Sequence, residues 1–242
     1  MKTSHDNFPQ ENIPDLISYL KRLQRKGIRS VYLSGYSDQD ATEQKPADNE
    51  DTGGEVITDV KKGLAELDEQ VRACTACALH EGRTNTVFGK GNPATKVMFI
   101  GEGPGREEDL RGEPFVGRSG QLLTKMIEAI ELERDDVYIT NIVKCRPPGN
   151  RDPQEQEVRC CENYLKAQIE LIGPRIICAL GRVAAHWLLD TNESLADLRR
   201  RDLSYEGTQV LATYHPAALL RNPGLKRNAW EDFKRLRDIV NE

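Results

Sequence analysis

The chain has 242 residues and a mass of 27.3 kDa, with 38% hydrophobic, 30% charged and 6% aromatic residues, enough for one substantial core plus a polar segment. Its longest apolar runs, such as 97–100 and 176–180, fall far short of the roughly 20 residues a bilayer crossing needs, which excludes a transmembrane helix. The net charge of −5 is uneven: residues 36–60 hold eight acids against Lys45 alone, so the remainder carries about +2 and DNA is not excluded as a partner.

In chain order, the polar opening from Met1 to Gln10 does not read as a signal peptide. Six cysteines without a secretory signal point to thiols kept reduced in the cytoplasm, where metal ligation is a natural use. Ile13, Leu16, Ile17, Leu20 and Leu23 have helical spacing and define an amino-terminal helical extension over 1–35. Residues 36–57 are rich in Asp, Glu, Gln, Gly and Pro with almost no large apolar side chain, and read as an acidic flexible linker.

A compact domain is expected over 58–242, opening with the helical stripe Val60, Leu64, Leu67 and Val71 that runs into Cys74. Strands are predicted at 96–100, 136–143, 175–180 and 209–213, and helices at 120–130, 153–172, 182–189 and 230–240. The strands are apolar throughout rather than alternating, which indicates a mostly parallel sheet covered on both faces. Ligands of such sheets sit beyond the carboxyl ends of the strands. The residues standing there are Glu102 within Gly101-Glu102-Gly103-Pro104-Gly105, Asn141 before a loop stiffened by Pro147 and Pro148, and His215 followed by Pro216. The glycine turn is not the dinucleotide fingerprint, because Arg106 occupies the place of its last glycine. Basic clusters at Arg199 to Arg201 and around Arg221, Lys226 and Arg227 are candidates for phosphate contact.

The cysteines make a separate argument. Cys74-x2-Cys77, Cys145 in the proline loop and one more in the following helix supply four soft ligands, suited to zinc or an iron-sulfur cluster. The second pair is too open for a zinc ribbon, which favours iron and sulfide. Cys160 and Cys161 compete for the last place; Cys161 shares a helical face with Val158 and Leu165 and is preferred. Cys178, inside an apolar strand, is expected to be a buried structural thiol.

Together these segments resemble the family 4 uracil-DNA glycosylases, the iron-sulfur branch of the uracil-DNA glycosylase superfamily. The likeness covers about residues 66–240: Cys74 to Arg83, Gly101 to Gly105 with Glu108-Asp109, Pro114 to Leu123, Asn141 to Arg151, and His215 through Pro223. The short segment from Arg146 to Pro153 contains no His, unlike a relative that links covalently to DNA through a histidine there. The resemblance implies a three-layer α/β/α fold, release of uracil from DNA leaving an abasic site, and a 4Fe-4S cluster on Cys74, Cys77, Cys145 and Cys161. The family's interval between its last two cysteines agrees with Cys161.

On this reading the extruded base stacks on Phe115, and the Asn141 amide reads its Watson–Crick edge. Glu102 and His215 are the expected catalytic pair: a carboxylate near C1′ and an imidazole near O2, with the Gly103 N–H as a further donor. Glu108 is expected to crowd C5, while Leu219 and Leu220 fill the vacated stack and Arg221 holds phosphate. The partner is uracil-containing DNA, single- or double-stranded, met by a monomer. Two rival classes are a non-catalytic uracil-DNA-binding protein and an iron-sulfur carrier or regulator; Glu102 argues against the first, and a pocket of Phe, Asn and His against the second.

Overall fold

A computed structural model describes residues 52–241. The extension expected over 1–35 and most of the linker expected over 36–57 lie outside the described residues. Helix α1, Thr52–Ala73, begins inside that expected linker. Its Leu64, Leu67 and Val71 are buried, as the stripe requires. Once such a packed segment is helical, each further amino-terminal residue adds one hydrogen bond for one ordered residue, so the helix outruns its apolar stripe.

The chain then forms α2 (Leu79–Gly82), β1 (Lys90–Gly91), β2 (Val97–Gly101), α3 (Arg106–Arg111), α4 (Arg118–Glu128), β3 (Tyr138–Asn141), α5 (Glu155–Ile172), β4 (Ile176–Leu180), α6 (Arg182–Leu189), α7 (Leu195–Leu198), β5 (Leu203–Tyr205), β6 (Thr208–Thr213), α8 (Pro216–Arg221) and α9 (Lys226–Asn241). The strands make one six-stranded sheet in the order β1-β3-β2-β4-β6-β5. The four central strands are parallel, and β1 and β5 are antiparallel edges. Those two edges were not predicted, because they are short and lack the apolar run that burial on both faces imposes on β2 and β4. The strand predicted over 136–143 is shorter than expected, since Asp136 belongs to a 3₁₀ turn capped at Glu133.

Side chains alternate across β2 and so serve two cores. Met98 and Ile100 join Leu64, Leu67, Leu165 and Ile169 on the α1 and α5 face. Val97 and Phe99 join Leu123, Ile127, Phe233 and Leu236 on the α4 and α9 face, where Phe99 and Phe233 stack with ring centroids 6.0 Å apart. Cys178 is fully buried in this second core, as a structural thiol should be. Helices thus cover both faces, giving three layers. Among the described residues no helix is long and apolar enough to cross a membrane.

The sheet also sets the site. From β2 the chain moves to β3 on one side and from β4 to β6 on the other, which makes the β2/β4 junction a topological switch point. Gly101 pairs with Asn141, and Leu180 with Thr213, so the carboxyl ends of all four strands finish level.

Candidate active site

Four strand tips open into one cleft of about 500 Å³. Glu102 follows β2, Asn141 ends β3, Arg182 follows β4 after Gly181, and His215 follows β6; all four line the cleft, with Phe115 and Glu108 on a further wall. The sequence therefore brings Glu102, Gly103, Glu108, Phe115, Asn141, His215 and Arg221 together, although they are distant in the chain.

Phe115 is held in an unusual conformation. Its φ is 51°, which a bulky residue adopts only when its surroundings dictate it, at a cost on the order of 1–3 kcal/mol. Two contacts impose it. Glu108 Oε1 accepts from the Val116 and Gly117 amides at 2.9 and 2.8 Å, and a Cβ on Gly120 would stand 1.8 Å from the Phe115 carbonyl oxygen. Glu108 thus anchors the loop as well as walling the cleft. Asp109 beside it turns the other way, accepting from the Thr84 amide at 2.8 Å. The Phe115 ring lies 5.5 Å from the His215 ring, and both it and the Asn141 amide would collide with any side chain larger than hydrogen at Gly101.

Asn141 is buried, and its Oδ1 has no hydrogen-bond partner among the described residues. Buried amide oxygens are nearly always paired, and the side chain that carries this one lines the cleft. His215 caps α8: its Nδ1 accepts from the Ala217 amide at 3.1 Å, which leaves the proton on Nε2. Burial, aided by Arg221, pushes its imidazolium down to about 4 against the pull of Glu108, so the ring is a neutral donor near pH 7.

Burial also pushes the Glu102 carboxyl up to about 7, and the charge of Asp152, which shares a hydrogen bond with it, acts in the same direction. Arg182 and Arg221 oppose the shift. Arg182 pairs with Asp152 at 2.8 Å. Sequence reasoning passes over both of these residues, although Arg182 stands directly beyond a strand tip, where the parallel-sheet rule directs attention.

Two expectations need correction. Leu219 is 1% exposed on the core side of α8 and has no route into a DNA stack, whereas Leu220 is 39% exposed. Arg199, expected in a phosphate-binding cluster, is instead paired in the interior with Asp232 at 2.6 and 2.8 Å. Thr213 Oγ1 donates to the same carboxylate at 2.7 Å, and the Arg199 guanidinium lies 4.7 Å from the centre of the Tyr214 ring, so the ensemble braces the turn that presents His215.

A second cavity lies behind β3. Cys74, Cys77, Cys145, Cys160 and Cys161 line it together with Lys144 and Tyr164. Burial pushes the Cys77 and Cys145 thiols up, and Cys161 up to about 11. Donors nevertheless aim at their sulfurs: Arg83 reaches Cys145 Sγ, and the Lys144 amide reaches Cys161 Sγ, both at 3.3 Å. Among the described residues no three His, Cys, Asp or Glu side chains meet around a point suited to a single metal ion. The donor set fits a polynuclear iron-sulfur group, which brings its own sulfides and takes one thiolate per iron.

The uracil DNA glycosylase superfamily model matches residues 88–234, spanning the whole sheet from β1's edge to α9. The type-4 uracil-DNA glycosylase of Sulfurisphaera tokodaii is 45% identical over 186 residues, 73% of this chain and 84% of that protein. The type-4 uracil-DNA glycosylase of Thermotoga maritima is 44% identical over 180 residues, 73% of this chain and 94% of that one. A type-5 uracil-DNA glycosylase of Pyrobaculum aerophilum is 34% identical over 151 residues, 55% of this chain and 66% of that protein. With its parallel sheet and its strand-tip cleft, the chain belongs to the uracil DNA glycosylase superfamily and, within it, to the type-4 branch.

Proposed function

We propose that the protein is a DNA repair enzyme that hydrolyses the N-glycosidic bond of deoxyuridine in DNA, releasing free uracil and leaving an abasic site. The observation that carries this reading is the unpartnered Asn141 Oδ1, buried in the same cleft as the Phe115 ring, the Glu102 carboxyl and the His215 imidazole.

A uracil in duplex DNA is enclosed by the stack, so the nucleotide is extruded at a cost of a few kcal/mol. Leu220 fills the gap and Arg221 contacts phosphate. The base stacks on Phe115. Asn141 Oδ1 accepts from uracil N3–H, and its Nδ2 donates to O4. Cytosine presents the reverse pattern at both positions and leaves buried groups unpaired, a mismatch that discriminates strongly. Glu108, already fixed by two backbone amides, stands against C5 and disfavours a methyl group.

Bond cleavage develops positive charge on the sugar and negative charge on the base. Glu102, ionised, faces C1′ and takes the proton of the water that attacks it. The neutral His215 donates Nε2–H to O2, and the Gly103 N–H adds a second donor, so the departing uracil anion is held by donors that need not reorganise. The uracil anion takes a proton from solvent as it is released.

Cys74, Cys77, Cys145 and Cys161 would hold a 4Fe-4S cluster, which supplies a rigid link between the end of α1, the proline loop and α5 rather than an electron. The enzyme is read as a cytoplasmic monomer acting beside the DNA on single or double strands. The test is release of free uracil from both kinds of strand, with Glu102→Ala as the control. Retention of uracil-DNA without release by the parent protein would reduce the reading to a binding module.

A further inference from the structure

Lys144 takes no part in the mechanism above, yet it is 1% exposed and among the largest fully buried side chains of the protein. Its Nζ donates to Thr140 Oγ1 at 2.7 Å, to the Asn141 backbone carbonyl at 2.7 Å and to Gln168 Oε1 at 2.6 Å. Three acceptors use all three protons of an ammonium group. None of them is a carboxylate, so no ion pair among these contacts offsets the burial of the amine. Removing the lysine alone leaves those three buried acceptors without their donor, so the group serves stability as well as placement.

The arrangement surrounding it is closed. Thr140 Oγ1 donates to the Phe88 carbonyl at 2.7 Å, and Gln168 Nε2 donates to that carbonyl at 3.0 Å and contacts the Tyr138 hydroxyl at 3.1 Å. A buried polar network with every member partnered fixes one geometry. Two of the three Lys144 contacts fall on Thr140 and Asn141, the last residues of β3. The main chain of Lys144 meanwhile donates to Cys161 Sγ, and α5 carries both Cys161 and Gln168. The residue therefore stands between the thiol cavity and the backbone that presents the Asn141 amide.

We infer that Lys144 is a positioning residue for uracil recognition: it fixes the end of β3 against α5 so that the Asn141 amide meets the base edge in register. This rests on the reading of Asn141 given above. The amide must satisfy two hydrogen bonds at once, which tolerates misplacement of only about 0.5 Å.

The experiment uses iron-replete enzyme and compares the parent with Lys144→Met, Thr140→Val and Asn141→Leu. It measures inhibition by free uracil, KM and kcat on uracil-DNA, iron content and the thermal midpoint. Lys144→Met leaves three buried acceptors unpaired and is expected to lower the midpoint, to weaken uracil inhibition about tenfold and to raise KM more than it lowers kcat. Thr140→Val, which removes one acceptor without touching the lysine, is expected to shift uracil inhibition about threefold in the same direction. A Lys144→Met enzyme that is less stable but inhibited by uracil as well as the parent overturns the inference. If Lys144→Met loses its iron, Thr140→Val decides: weaker inhibition supports the role and parental inhibition overturns it. Parental inhibition of Asn141→Leu would instead strike at the pocket reading itself, so the two failures are separable.

Discussion

Asn141 and Cys145 leave β3 in the same short stretch, yet they turn into cavities of opposite character. In the strand-tip cleft the lining groups are set by the protein itself: His215 by the Ala217 amide, Glu108 by two backbone amides, Phe115 by Gly120. Among the described residues the buried Asn141 Oδ1 has no partner. In the thiol cavity the side chains are soft and close together, and burial pushes their protons on rather than off. Thiolates there need positive charge, which Arg83 beside Cys145 and Lys144 beside Cys161 supply only in part. One region is prepared for a neutral, hydrogen-bonding ligand; the other is chemically matched to a cationic one.

This contrast breaks in definite ways. The largest effect is expected in the cleft: Glu102→Ala should lower kcat for uracil release about 10³-fold and His215→Ala about 10²-fold, with iron content unchanged in both. Iron loss on either substitution would mean that the two regions are not independent. In the thiol cavity, Cys161→Ala should lose the bound iron and lower the thermal midpoint, whereas Cys160→Ala should do neither. Iron analysis of the pair checks the assignment, and the opposite pattern would reverse it.

Adjacent leucines sharpen the comparison between inside and outside. Leu219→Ala should cost about 2–5 kcal/mol in a denaturant titration, and Leu220→Ala within about 0.5 kcal/mol. Leu220→Ala should nonetheless slow uracil release from duplex several-fold and leave single strands nearly unaffected. The smallest expected change is a pH shift. Glu102 acts ionised and titrates at about 7, so kcat/KM should rise with pH through neutrality. Asp152 helps to hold that carboxyl protonated, so Asp152→Asn should move the rising limb to lower pH. A limb that stays in place would remove Asp152 from the electrostatics of the cleft.

Much of this was legible in the sequence, for a physical reason. Central parallel strands are buried on both faces, so β2 and β4 announce themselves as apolar runs, and a parallel sheet gathers whatever follows its strands. Glu102, Asn141 and His215 were found by that rule. Leu219 and Leu220 were not told apart, because chemistry is identical and only the orientation of α8 decides which one is covered. Arg199 read as a surface base because its partner, Asp232, lies on a different element far along the chain. Lys144 was passed over for a similar reason: nothing local to it indicates that the charge is enclosed.

The conformation of Phe115 carries a consequence for anyone who would retune the pocket. A ring with φ of 51° is not an independent choice but the product of a glycine behind it and a carboxylate below it. Those three positions form one structural unit. A chimera that imports a new stacking surface from a relative must take Glu108, Phe115 and Gly120 together, or the platform will relax to an ordinary backbone and tilt out from under its base.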